Sequence, residues 1–301
     1  MRLLFRKDLK MVSVIIINYN TYELTKTCIA SIYKNYQKKI EIIVIDNAST
    51  EKDVALLNDV FPDLKIIKNK ENLGFAKANN IGIQIAVGDY ILLLNSDAEL
   101  KNDAISICIE ALNEKNNVGI VTGQLIFPNG IIQHNCQIFP SIKNEIIELF
   151  RLQKLMGKEK TSQLFKGAFF DHNKSCYTDW VWGTFFLFKK EDLKKLNLKH
   201  LSDDFFMYGE DLEWCYQFNI VGLKTYYCKD AQIIHHLGSS KFGDFYKTQK
   251  QIIKNELLFI KKYEGNLTLL SIRVLKFIKF TLLSIKTPNY FKIGRYYLQK
   301  I

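Results

Sequence analysis

The sequence predicts an α/β chain: a doubly wound, mixed but mostly parallel sheet flanked by helices, with a helical appendage at the C-terminal end. Three observations predict it. Short apolar runs recur at Val12 to Ile17, Ile40 to Asp46, Leu64 to Lys68 and Tyr90 to Leu94, and strands without polar alternation are covered on both faces. Helical stretches separate these runs, and such alternation implies parallel pairing through crossover helices. Short polar clusters, Asn18-Tyr19-Asn20, Asp46-Asn47 and Asn95-Ser96-Asp97, follow three of the runs, at the carboxyl ends of strands where such sheets bind ligands.

Taken in order, the first strand is followed by Thr21, which caps a helix running to about Tyr36. After the second strand, Asn47-Ala48-Ser49-Thr50 turns the chain and supplies an N-cap for a helix from Glu51. The third strand leads to a helix from Ala76 to Val87 closed by Gly88, and then to the fourth. Beyond Val118 the pattern loosens. Pro128-Asn129-Gly130 reads as a turn between short strands and Glu145 to Lys160 as a polar helix. A strand over Trp180 to Phe188, a helix from Glu210, and two short strands at Thr225 to Cys228 and Gln232 to His235 complete the main domain. Residues 1–240 are expected to form that domain, with halves of about 11–100 and 101–240, and 241–301 a basic helical extension.

The 301 residues carry 42 Lys and Arg against 31 Asp and Glu, a net charge of +11. That favours anionic partners: nucleotide phosphates, acidic lipids or nucleic acid. The basic residues are scattered and lysine-rich, without a nucleic-acid-binding motif, so no nucleic acid partner is expected. Six cysteines without a C-x-x-C pair fit free thiols in a reducing compartment. Arg2, Arg6, Lys7, Asp8 and Lys10 leave no apolar stretch of signal-peptide type. No uncharged apolar run reaches the roughly 20 residues that span a bilayer. A cytoplasmic location is expected.

Neither G-x-G-x-x-G after the first strand nor G-x-x-x-x-G-K-[ST] is present, which removes the usual signatures of dehydrogenases and P-loop proteins. Asn18, Asn20, Asp46 and Asn47 can hydrogen-bond a base and ribose, or serve as ordinary turn residues. Asp97, at a strand end, can hold a divalent ion bridging two phosphates; the competing reading is a loop triplet. Glu210 and Asp211 open a helix after Phe205-Phe206-Met207-Tyr208-Gly209. A carboxylate there can act as a general base, although acids belong in the first turn of any helix. His235 and His236 end an apolar strand, and an imidazole there can complete the coordination of an ion at Asp97.

The ordered blocks VSVIIINYN, EIIVIDNAST, ENLGFAKANNIG, YILLLNSDAEL, WVWGTFFLFKKEDL, DDFFMYGEDLEWCYQFNIVG and IIHHLGSS resemble glycosyltransferase family 2, inverting enzymes of the GT-A fold, and within it the rhamnosyltransferase-like members. The resemblance runs from Val12 to Ser240. It implies that Asn18, Asp46 and the segment Gly74 to Asn80, with Phe75 and Lys77, bind a nucleotide diphosphate, with Asn20, Asn47 and Asn95 beside them. It also implies that Asp97 ligates Mg2+ or Mn2+ with His235, and that Asp211 is the base. Asn95 stands where the generic motif has aspartate, which weakens the metal site. Between the two histidines the pattern favours His235. Trp182, Gly183, Thr184, Glu210 and Trp214 would line the acceptor side, with Trp214 offering a stacking face; core packing is the other reading of both tryptophans.

The implied reaction is inverting transfer of rhamnose from dTDP-rhamnose to a glycan or lipid-linked acceptor in cell-surface polysaccharide synthesis. A UDP-hexose or amino-sugar transferase of the same fold, or a non-catalytic sugar-nucleotide-binding protein, are the alternatives. The tail has two readings. Leu267 to Thr287, with Arg273, Lys276, Lys279 and Lys286, either lies on an anionic membrane surface or packs as a closing helix on the main domain.

Overall fold

The computed structural model describes residues 10–236 and 245–299. Arg2, Arg6, Lys7 and Asp8, the Leu237 to Ser240 end of the last sequence block, Lys241 and the expected domain boundary at residue 240 lie outside the described residues.

The chain begins with β1 (Val12–Asn18), α1 (Tyr22–Asn35), β2 (Ile40–Asp46), β3 (Lys65–Lys68), α2 (Phe75–Ile85), β4 (Tyr90–Asn95) and β5 (Ala98–Leu100). It continues with α3 (Ala104–Glu114), β6 (Val118–Ile126), β7 (Cys136–Gln137), α4 (Ile142–Leu149) and α5 (Lys158–Phe165). Then come β8 (Cys176–Thr178), β9 (Trp180–Val181), β10 (Phe185–Lys189), α6 (Glu210–Ile220), β11 (Lys224–His235), α7 (Phe245–Tyr263), α8 (Gly265–Ser284) and α9 (Asn289–Tyr296). The main sheet has the order β3-β2-β1-β4-β10-β6-β11-β5, with β8 also pairing β11. The first four strands are parallel, β10 runs antiparallel to β4 and β6, and β5 antiparallel to β11. The mixed, mostly parallel sheet expected from the apolar runs is therefore present. Its β1, β2 and β4 side chains are buried on both faces, one under α1 and α3 and the other under α2 and α6.

Several elements differ from the sequence expectation. The helix expected from Glu51 is a 3-10 turn over Val54–Asp59, capped by Asp53 accepting from Ala55 N–H at 2.8 Å. Two of the residues expected to cap it are engaged elsewhere: Asn47 holds Asn69, Asn72 and the Leu73–Gly74 backbone, and Ser49 Oγ accepts from Asn18 and from the Asn20 backbone N–H, while Asn20 Oδ1 takes the Thr50 N–H. Gly88 does not close α2, which ends at Ile85. A Cβ at Gly88 would stand 2.6 Å from Ser13 N, so the glycine serves a close approach of strands. The polar helix expected over Glu145 to Lys160 is two helices, α4 and α5, separated by a 3-10 turn. Thr225 to Cys228 and Gln232 to His235 form one strand with a register shift between them, and Trp180 to Phe188 breaks at Trp182-Gly183-Thr184 into β9 and β10.

The C-terminal helices pack on the main domain. Leu257, Ile260 and Ile272 are buried with Phe205 and Leu212. The cations of α8 do not form an outward face. Lys276 Nζ lies 2.6 Å from Glu256 and 3.3 Å from Glu145, Lys279 pairs with Glu148, and Arg273 donates to the Tyr297 and Gln299 carbonyls. The face left exposed is apolar: Leu267, Leu270, Val274, Ile278 and Leu282. Among the described residues, no helix is long and apolar enough to cross a membrane.

Candidate active site

Strand register assembles the polar ends. β1 pairs β2 with Asn18 opposite Asp46, and β4 with Ile17 opposite Asn95, so all three clusters share one sheet edge. Within it, Asn18 is fully buried. Its amide donates to Asp46 Oδ1 and Ser49 Oγ at 2.8 and 2.9 Å and its oxygen accepts from Thr25 and Thr21. Asn47 is equally engaged, donating to Asn72 and the Gly74 carbonyl and accepting from Asn69 and the Leu73 N–H. Neither side chain has a hydrogen-bonding position left for a ligand, so both clamp the loops after β2 and β3. Asn20, at φ +54°, holds Thr50 and Glu51. Asp46 is left facing a small cavity of about 310 Å³ lined also by Ser49, Thr50, Lys52 and Lys68.

The next loop depends on a glycine. Gly74 has φ +81°, and a Cβ there would meet the Phe206 carbonyl at 2.4 Å. Phe75 N–H donates to that same carbonyl at 2.8 Å. Thus Gly74-Phe75 is fastened to the Phe205-Phe206 loop. Lys77 is exposed on the first turns of α2. Asn80 turns away from this edge: it donates to the Leu201 carbonyl and lines a cavity of about 850 Å³ with Lys10, Gly88 and Asp89, at the amino ends of β1 and β4.

Asn95-Ser96-Asp97 is held from both sides. Antiparallel pairing of β4 with β10 brings Thr184 to Asn95, whose N–H donates to the Thr184 carbonyl at 3.0 Å. Pairing of β5 with β11 sets His235 opposite Ala98, leaving His235 Nε2 3.4 Å from Asp97 Oδ1. His236 turns instead to Glu99, at 2.6 Å. Gln133, which the sequence reading passed over, fixes the His235 ring. Its amide donates to the His235 carbonyl at 2.7 Å and its oxygen meets Nδ1 at 2.7 Å. With that oxygen an acceptor, Nδ1 carries a proton, which leaves Nε2, directed at the Asp97 carboxylate, as the nitrogen whose lone pair can serve a cation. Two acceptors face to face suit a cation between them. Bonds of about 2.1 Å set adjacent ligand atoms about 3 Å apart. The donor set thus fits a divalent ion, though as a pair: among the described residues no group of three or more His, Cys, Asp or Glu could hold a metal. Diphosphate and water oxygens would have to complete the shell.

Across the β9–β10 break stands the start of α6. Gly209, at φ +101°, turns the chain into the helix. Asp211 accepts from Leu212 N–H at 2.8 Å and Gly183 N–H at 3.3 Å. Burial pushes its carboxyl up to about 6, against the pull of those two amides. Glu210 is buried, its Oε2 without a hydrogen bond, and burial beside Asp211 holds it protonated well above the carboxylate range. Trp182 is half-buried. Trp214 corrects an expectation. It is 0% exposed, donates to the Ser202 carbonyl and stacks on Phe75, so it is core and offers no face to a sugar.

The model of the family described as Glycosyl transferase family 2 matches residues 13–216. Among curated relatives, Glycosyltransferase GlyG of Streptococcus pneumoniae is 24% identical over 187 residues, 60% of this chain and 58% of that protein; the chain thus matches little more than half that relative's length. A mannosyltransferase of Pyrobaculum calidifontis, solved with GDP-Man and Mn2+, superposes with a TM-score of 0.59 at 14% identity, over 95% of this chain and 84% of that one. GalNAc-T7, solved with UDP, GalNAc and Mn2+, gives 0.62 at 13% identity over 97% and 56%. At these identities the two structures show a shared fold, of GT-A type.

Proposed function

The chain belongs to glycosyl transferase family 2, and from that membership we propose that it moves a sugar from a nucleotide diphosphate to an acceptor hydroxyl with inversion at the anomeric carbon. One observation carries the reading. Asp211, its carboxyl raised to about 6, is bonded to Gly183, whose neighbour Thr184 is bonded to Asn95 in the triplet that ends at Asp97. On this reading the base and the cation-holding carboxylate lie on segments tied to the adjoining residues Gly183 and Thr184.

Asp211 takes the proton of the acceptor hydroxyl as that oxygen attacks the anomeric carbon. A carboxylate raised toward 6 is a stronger base than an ordinary one and is still mostly ionised at pH 7. Asp97 and His235 would hold Mg2+ or Mn2+, which when bound supplies positive charge to the departing diphosphate. Lys77 adds a second cation, and Asp46 and Asn95 face the donor. Asn18, Asn20 and Asn47 act by holding the loops. Trp182, Gly183 and Thr184 border the acceptor, and buried Glu210 sits behind the base. Residues 11–100 serve as the donor half, 101–240 as the acceptor half and 241–301 as the extension.

The favoured donor is dTDP-rhamnose and the favoured acceptor a glycan or lipid-linked sugar of a cell-surface polysaccharide, at the inner face of the cell membrane. Thermal shift and donor turnover across a panel of nucleotide sugars with Mn2+ test this. The largest shift and turnover are expected with dTDP-rhamnose. Preference for a UDP-hexose or a UDP-amino sugar would replace the sugar assignment, and binding without turnover of any donor would leave a sugar-nucleotide-binding protein. Asp97→Ala should remove the Mn2+-dependent part of donor binding; unchanged titrations with and without Mn2+ would contradict its role as ligand.

A further inference from the structure

Away from this edge lies a cluster the transfer reaction does not use. Lys166, at the end of α5, is only 7% exposed and stands at φ +49° and ψ −144°, a conformation rare for a side chain with a Cβ. The bend carries its ammonium inward. There Nζ lies 3.4 Å from Cys176 Sγ and 4.7 Å from the centre of the Phe170 ring, and among the described residues no carboxylate pairs with it. Asp179, close enough to feel the ammonium, is engaged by the Phe139 N–H. A buried ammonium without a counter-charge is costly. The atom placed to supply that charge is the Cys176 sulfur. Cys136, itself fully buried, belongs with Phe170 and Tyr227 to the apolar cluster against which Cys176 packs.

We infer that Cys176 is a redox-modification site, a thiolate held by Lys166 that reacts with a hydroperoxide and is then resolved by Cys136 into a Cys136–Cys176 disulfide. Cys176 is partly open to solvent, as a peroxide requires, whereas Cys136 is not. The sulfur attacks the terminal oxygen, the O–O bond breaks, and the leaving oxide departs with a proton from Lys166, giving a sulfenic acid. Cys136 sulfur then attacks Cys176 sulfur. The S–S bond forms and the sulfenic hydroxyl leaves as water with the Cys136 proton. Two thiols lose two electrons and the peroxide gains them. Consistent with the geometry, the Cys136 thiol and the nearby lysines bring Cys176 down to about 6, while burial holds Cys136 well up. The chain contains an internal comparison: Cys108 and Cys228 also share one apolar cluster, yet both are buried, and Cys108 is raised well above the ordinary thiol value by burial.

The test treats the full chain, natively folded, with hydrogen peroxide and maps cysteines by differential alkylation. A Cys136–Cys176 cross-linked peptide is expected, with Cys108 and Cys228 still free. Without oxidant, iodoacetamide at pH 7 should label Cys176 at least about tenfold faster than Cys28 or Cys215. Lys166→Met should remove that advantage and Lys166→Arg keep it, while Cys136→Ser should leave a sulfenic acid at Cys176 that dimedone traps. Labelling of Cys176 no faster than the buried cysteines in the unmodified chain, or cross-linking of Cys108 to Cys228 in preference, would overturn the assignment.

Discussion

Asp211 shows how much one residue's environment adds to its identity. The sequence placed an acid in the first turn of a helix; only the fold shows that it is partly buried, bonded to Gly183 and raised to about 6. A carboxyl held above its ordinary value of 3.8 binds its proton more tightly when folded. Its contribution to stability is therefore present below about pH 4 and lost as pH rises through about 6. Two results follow. The acid limb of transfer should fall with an apparent pKa near 6. Asp211→Asn, which cannot ionise, should be more stable than the parent by about 1–2 kcal/mol at pH 8, with the gap closing below pH 4, as read by urea denaturation. A destabilised variant at pH 8 would contradict the burial argument. Gln133 was illegible for a different reason: its partner His235 lies 102 residues away, and no local pattern marks such a pair. The approach of Asp97 and His235 to 3.4 Å could be anticipated because one follows an apolar strand and the other ends one, while the choice of His235 over His236 came from the family resemblance.

The same contrast holds for elements. β1, β2, β3, β4, α1 and α2 could be read because the apolar runs and helical periods are local and unbroken. β5, only three residues long, and the break between β9 and β10 leave no period to read and owe their form to pairing with β11 and β4. The helix expected at Glu51 failed because Ser49, a good cap by composition, is spent on Asn18 and Asn20, and the Thr50 N–H is taken by Asn20. The Gly74 loop is where such packing carries function. Gly74→Ala would force a Cβ to within 2.4 Å of a backbone carbonyl at positive φ. A loss of about 1–3 kcal/mol is expected, together with weaker donor binding, since Phe75 and the Phe206 loop must part. Wild-type donor affinity in that variant, measured by calorimetry, would disconnect this loop from the site.

At the scale of the molecule, charge and apolar surface are distributed in a way composition could not reveal. Residues 245–299 hold eleven Lys and Arg against two Glu, yet α8 turns Lys276 and Lys279 inward to Glu145, Glu148 and Glu256 and shows Leu267, Leu270, Val274 and Ile278 to the outside. Closing helix and membrane-facing helix are therefore compatible readings of one element, with its two faces exchanged relative to the sequence expectation. Because α8 also buries Ile272 in the core, point changes are the suitable probe. Leu270→Asp with Ile278→Asp should abolish flotation with anionic vesicles while leaving thermal stability nearly unchanged; flotation equal to the parent would remove the membrane contact from the account. The division of labour along the sheet edge, with Asp97 holding the leaving group and Asp211 accepting the proton, is the central claim. It is tested most directly by Asp211→Asn assayed for transfer and, by calorimetry, for donor binding with Mn2+. Transfer reduced by at least about a thousandfold with donor affinity unchanged is the predicted result. Retained turnover would contradict it.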